Sequence, residues 1–325
     1  PGDIVVVDRN CHKSILHAIM MTGAIPVFLM PTRNHFGIIG PIPKSEFEPE
    51  TIAKKIADHP FASQAKNKKP RILTITQGTY DGVLYNAEMI KNMLSTEIDT
   101  LHFDEAWLPH ASFHPFYEDM HAIGHGRARS KDALVFATQS THKLLAGLSQ
   151  ASQILVQDSE TRKLDTYRFN EAYLMHTSTS PQYSIIASCD VAAAMMEAPG
   201  GTALVEESIA EALDFRRAMR KVEQEYVGTN GGNGKGDDWW FKVWGPNDLS
   251  DEGIEEREAW MLKANERWHG FGNLAEDFNL LDPIKATIIT PGLDVDGKFS
   301  DSGIPAAIVT RYLAEHGIIV EKTGL

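Results

Sequence analysis

Apolar residues in the first half of the chain fall into short, unalternated, β-rich runs: IVVVD (4–8), AIPVFLM (24–30), RILTIT (71–76), TLHFD (100–104), ALVFAT (133–138) and SQILVQ (152–157). Between them lie stretches with helical spacing, KSILHAIMMTG (13–23), PETIAKKIADH (49–59) and NAEMIKNMLST (86–96). Strands that are apolar on both faces and separated by helices predict an α/β fold with a mostly parallel sheet. A long helical region is expected over 181–226, followed by a glycine-rich loop, GTNGGNGKGDD (228–238). Beyond it, WWFKVW (239–244), IKATIIT (284–290) and IIVEK (318–322) read as strands. SGIPAAIVTRYLAEHG (302–317) reads as a helix stopped by Gly317. The pattern predicts a large domain over 1–195 and the start of a smaller α+β domain over 196–325.

Composition narrows the class. With 325 residues, 42% hydrophobic and 23% charged, the chain has ordinary globular proportions. No apolar run approaches a membrane span, and the net charge of −13 disfavours nucleic acid. Two cysteines, Cys11 and Cys189, leave no disulfide framework and fit a reducing cytoplasm. The first residues, PGDIVVVDRN, start almost inside a strand, so a piece of a longer polypeptide is expected.

In a parallel sheet, ligands bind beyond the carboxyl ends of the strands. There IVVVD runs into His12, TLHF into Asp104 and Trp107, and ALVFAT into Ser140, Thr141, His142 and Lys143. A lysine, a carboxylate and a flat ring at neighbouring strand ends suit pyridoxal phosphate. The lysine would form the Schiff base, the carboxylate would pair with the pyridine nitrogen, and His12 would stack on the ring. Each residue has a plainer reading: Lys143 as a loop cation, Asp104 and His12 as helix-start residues, Trp107 as packing. A metal site from His102, Asp104, His110 and His114 is the main competitor, but HEXXH is absent and Pro109 and Pro115 interrupt the segment. The glycine-rich loop lacks the ending of a phosphate-binding P-loop, and no serine-hydrolase elbow occurs.

DRNCHKS (8–14), TYDGVLYN (79–86), HFDEAW (102–107), STHKLLAGLSQAS (140–152), FNEAYLMHTSTSP (169–181), WHGF (268–271), LDPIKAT (281–287) and GIPAAIV (303–309) together resemble the bacterial ornithine/lysine/arginine decarboxylases. That resemblance implies the pyridoxal-phosphate fold of the aspartate-aminotransferase kind and decarboxylation of a basic amino acid. Lysine to cadaverine is preferred, with arginine to agmatine next and ornithine third; an aminotransferase of the same fold is the rival. It implies Lys143 as the Schiff-base lysine, Asp104 as the pyridine partner and His12 as the stacking ring. Ser140 and His142 would lie on the phosphate side, Trp107 would be an active-site aromatic, and Ser178 would reach the phosphate of a neighbouring subunit. A homodimer with a shared site, assembled further into a higher homo-oligomer, is therefore expected. In that family, further domains flank the matching segment.

Overall fold

In the computed structural model, residues 1–65, 67–230, 240–247, 249–250, 253–292 and 303–323 are described. They divide into two compact units. One comprises Pro1–Pro31, Ile42–Thr79 and Leu84–Val205; the other comprises Thr32–Pro41, Tyr80–Val83 and Glu206–Leu325.

In chain order the elements begin β1 (Ile4–Asp8), α1 (Lys13–Thr22), β2 (Ile25–Leu29), α2 (Pro49–Asp58), β3 (Ile72–Thr76), β4 (Val83–Tyr85) and α3 (Ala87–Leu94). They continue with β5 (Thr100–Asp104), β6 (Leu134–Gln139), α4 (Thr141–Leu144), β7 (Gln153–Gln157), α5 (Thr166–His176), α6 (Tyr183–Met195) and α7 (Gly200–Asn230). The remainder are β8 (Lys242–Val243), β9 (Asn279–Leu281), β10 (Ile288–Ile289) and α8 (Ala306–Glu315). All six β-rich runs of the first half are strands, and all three intervening helices form.

The first unit is built on a six-stranded sheet in the order β2-β1-β3-β5-β6-β7. Every pairing is parallel except β6 with β7, which is antiparallel. β1 is buried along its whole length, as a strand covered on both faces must be. In β5, Leu101 and Phe103 are fully buried, while Thr100, His102 and Asp104 face the other side and are partly accessible. The helices start where local chemistry demands. Asn86 Oδ1 accepts from Met89 N at 3.0 Å to cap α3, and Pro49 opens α2, where no backbone donor is needed. α2 buries Ile52 and Ile56, one helical turn apart, against the sheet side.

In the second unit, β8 and β10 pair antiparallel, Val243 opposite Ile288, so the strand expectations for WWFKVW and IKATIIT hold only as two-residue pieces. Arg216 is buried and donates to the carbonyls of Pro283 at 2.6 Å and Lys285 at 2.7 Å, with its guanidinium 5.1 Å from the Trp260 ring centre. Helix α8 ends as expected. Gly317 adopts φ +79, its N–H reaches the Ala314 carbonyl at 3.2 Å, and Ile318 N–H reaches Leu313 at 2.9 Å.

IIVEK is not a strand. Ile318 uses its N–H to close the helix cap, and Ile319 is 81% exposed and pairs with no strand among the described residues. The glycine-rich segment is also revised. Residues 228–230 complete α7, and 231–238 lie outside the described residues. No helix among the described residues is long and apolar enough to cross a membrane.

Truncating the β5 core residue Phe103 to Ala should cost about 3–5 kcal/mol, the usual range for a fully buried aromatic. Urea unfolding followed by far-ultraviolet circular dichroism will measure this.

Candidate active site

Because β1, β3, β5 and β6 are parallel, their carboxyl ends share one edge, and the segments leaving it carry His12, Gln77, Asp104 and Lys143. Residues Thr76, Asp104 and Thr138 stand level across β3, β5 and β6. One pleat further in, Thr74 and His102 are paired, and His102 is paired with Phe136.

Lys143 sits in the four-residue helix α4, which starts immediately after β6. Its Nζ lies 4.3 Å from the centre of the Trp107 ring, so the two candidates meet directly. Backbone bonds from Lys143 N to Ser140 O (3.0 Å) and from His142 N to Ala151 O (3.1 Å) hold the turn in place. Asp104 Oδ1 accepts from Ala106 N at 3.1 Å, and its backbone carbonyl accepts from Gln77 N at 3.0 Å.

The Asp104 charge acts on the groups around it. Burial raises the Asp8 carboxyl and the Cys11 thiol; the Asp8 charge adds to the rise at Cys11, and Asp104 adds a smaller push to both. Burial lowers His102, while Asp104 pulls it upward. His12 caps α1: its Nδ1 accepts from Ser14 N at 3.3 Å, and its exposed ring lies just after Cys11. The helix-start reading of His12 is thus correct, and it leaves the ring face open.

Ser140 makes no side-chain capping bond, and His142 is exposed. Ser178 lies in the exposed segment between α5 and α6, and among the described residues its hydroxyl hydrogen bonds go to Ser180. It is not joined to the Lys143 cluster within one chain.

The four residues of the metal alternative have separate tasks. His102 bridges Thr74 Oγ1 (3.3 Å) and Thr138 Oγ1 (3.1 Å), and His110 packs edge-on against Tyr117 at 4.9 Å. His114 accepts from Phe116 N at 3.1 Å. Among the described residues, no three metal-ligating side chains gather. A cavity of about 650 Å³ lined by Ile52, Ile56, Lys68, Pro70 and Ile98 lies at the amino-terminal side of β3 and β5, and none of the candidate residues lines it.

Sequence reasoning gave His102 a place only in the metal alternative and gave Glu105 no role. His102 braces the floor of the site, and Glu105 is fully buried beside Asp104. The alternation of β5 could have flagged His102, since it shares a face with Asp104. Nothing in the pattern marks Glu105, because a glutamate after a strand ordinarily points into solvent.

The residues suit a flat aromatic ring with a protonatable nitrogen and a phosphate. Oδ2 of Asp104 has no hydrogen bond among the described residues, and Thr141 Oγ1 is buried without a partner.

A family model described as Orn/Lys/Arg decarboxylase, major domain, matches residues 1–325. The chain belongs to this decarboxylase family. It is 55% identical over 323 residues to a lysine decarboxylase of Pseudomonas aeruginosa, covering 99% of this chain and 42% of that protein. It is 45% identical to the inducible lysine decarboxylase of Escherichia coli (99% and 41%) and 42% identical to that organism's biodegradative arginine decarboxylase (99% and 44%). The solved Pseudomonas aeruginosa lysine decarboxylase A superimposes with a TM-score of 0.88, covering 99% of this chain and 42% of that one. The chain thus spans about 42% of the length of that curated family member.

If Asp104 sets the local potential, Asp104→Asn should lower the pH at which Cys11 becomes alkylated by iodoacetamide. Mass-spectrometric mapping, with Cys189 as internal reference, tests this in the cofactor-free protein.

Proposed function

We propose that the protein containing this chain decarboxylates a basic amino acid, with lysine to cadaverine as the favoured reaction and pyridoxal phosphate as cofactor. The observation that carries this reading is the pair Asp104 and Lys143 at adjacent parallel strand ends, with the lysine amine over Trp107. Lysine is preferred because the relatives at 55% and 45% identity are named lysine decarboxylases. Arginine to agmatine stands second, on the 42% identical relative, and ornithine third, on one at 34%.

Each residue has a definite task. Lys143 Nζ would hold the cofactor aldehyde covalently. Asp104 would pair with the pyridine nitrogen and keep it protonated. His12 would offer its ring face, and Ser140 and His142 would hold the phosphate. When bound, the cofactor supplies an electron sink for the pair released as the α-carboxylate leaves as CO₂. Leu101 and Phe103 bury the opposite face of β5 and so fix the strand that carries Asp104. In this reading the unit of Pro1–Pro31, Ile42–Thr79 and Leu84–Val205 is the cofactor-binding one.

Ser178 requires a second copy. Helix α5 buries none of its residues, α6 buries only Ala192, and Tyr167, Met175, Tyr183 and Ile186 are exposed along them. Such a surface fits a second copy of this chain, which would bring its Ser178 to the phosphate of the first. The assembly is a cytoplasmic homo-oligomer, consistent with two free cysteines.

In the full-length protein, Lys143→Ala should abolish the visible cofactor band and lower CO₂ release from lysine by at least about a thousandfold, as loss of a covalent catalyst does. Agmatine as the better product would overturn the substrate choice alone; no band in the wild type would overturn the whole reading. Ile186→Asp should shift the protein to smaller species in size-exclusion chromatography and reduce turnover with it. An unchanged elution volume would remove this face from the interface.

A further inference from the structure

The assignments above leave two buried carboxyls at the strand edge, Asp8 and Glu105, without a task, and Glu105 is the one that links several strand ends. Glu105 has no accessible surface. Its Oε1 accepts from Ala122 N at 2.7 Å, and its Oε2 accepts from Gln139 Nε2 at 2.8 Å. Gln139 Oε1 in turn accepts from Gln153 Nε2 at 2.9 Å. Glu105 N–H donates to the Thr138 carbonyl at 2.9 Å. Lys91, from α3, donates to the carbonyl of the same Ala122 at 3.2 Å. One carboxyl therefore ties the end of β5 to the ends of β6 and β7 and to the segment over α3. Two of those ends carry the reaction: Asp104 directly precedes Glu105, and Lys143 follows Gln139 within the next turn.

A carboxyl is a costly choice for this position. Burial raises its pKa to about 7, and the neighbouring Asp104 charge pushes the same way. The bonds from Ala122 and Gln139 and the Lys91 charge act against this rise. An apolar side chain would avoid that cost and cut both bonds. The groups facing Glu105 are Asp104 on its own strand and Lys91 on α3; Gln139, Gln153 and the Ala122 amide are uncharged.

We propose that Glu105 is a positioning residue whose ionised carboxyl, acting through Gln139, holds the strand ends bearing Asp104 and Lys143 in their reactive relation. It does not touch substrate. Losing its proton turns both accepted bonds into charge-assisted ones and tightens the link. The sign for stability is opposite. A carboxyl raised above its unfolded value gives stability that is full below about 4.5 and is lost as pH rises through about 7. Turnover and stability should therefore change in opposite directions near neutrality, which a merely structural side chain would not produce.

This inference rests on the proposed function, and the test separates the two. In full-length protein, the visible band of the Lys143-bound cofactor, kcat and KM are followed against pH for wild type, Glu105→Gln and Gln139→Leu. The second variant spares the carboxyl if the first fails to fold. Both variants should keep the band, lose the pH transition near 7, and lower kcat about 10–100-fold with KM little changed. In cofactor-free protein, amide exchange in 138–145 should quicken in both. A wild type with the band but no transition near 7 overturns the inference, as do variants with wild-type kcat and exchange. A wild type with no band overturns the proposed function instead.

Discussion

The parallel pairing of β5 with β6 is the constraint on which the rest depends. Its register sets Asp104 level with Thr138, so the chain leaving β6 begins α4 beside the carboxylate. Parallel strands need covered crossovers, and the burial of β1 and of alternate β5 residues is the cost the chain meets in apolar side chains. The same geometry collects the exits of the five parallel strands on one edge, where an aspartate and a lysine distant in sequence stand at the ends of adjacent strands.

Burial dominates the electrostatics at that edge, with the Asp104 charge as a smaller contribution common to several groups. That charge reaches Asp8, Cys11, His102 and Glu105, four side chains from two strands and the turns after them. His102 is held between two threonine hydroxyls, and burial lowers its pKa while the Asp104 charge opposes that fall. Lys143 is set against the π face of Trp107 just beyond the end of β6.

Much of this was legible from the chain. The runs from IVVVD to SQILVQ became strands, and the three intervening helices formed close to their expected limits. These elements depend on periodicity, which local sequence carries. Lys143, Asp104 and Trp107 were also legible, because parallel topology directs attention to residues just after each strand. IIVEK failed because strand formation needs a partner: β-rich composition cannot supply an edge to pair with, and the Gly317 cap had already claimed Ile318 N–H.

What the sequence by itself determined was the set of apolar repeats, the caps such as Asn86 and Gly317, and the family motifs around His12, Asp104 and Lys143. Each depends on residues within a few positions of one another. Only tertiary structure decided the strand order β2-β1-β3-β5-β6-β7, the bridging role of His102 and the burial of Glu105. Those follow from hydrogen bonds between strands tens of residues apart. A glutamate reads as a surface residue until the Ala122 amide and Gln139 are folded around it.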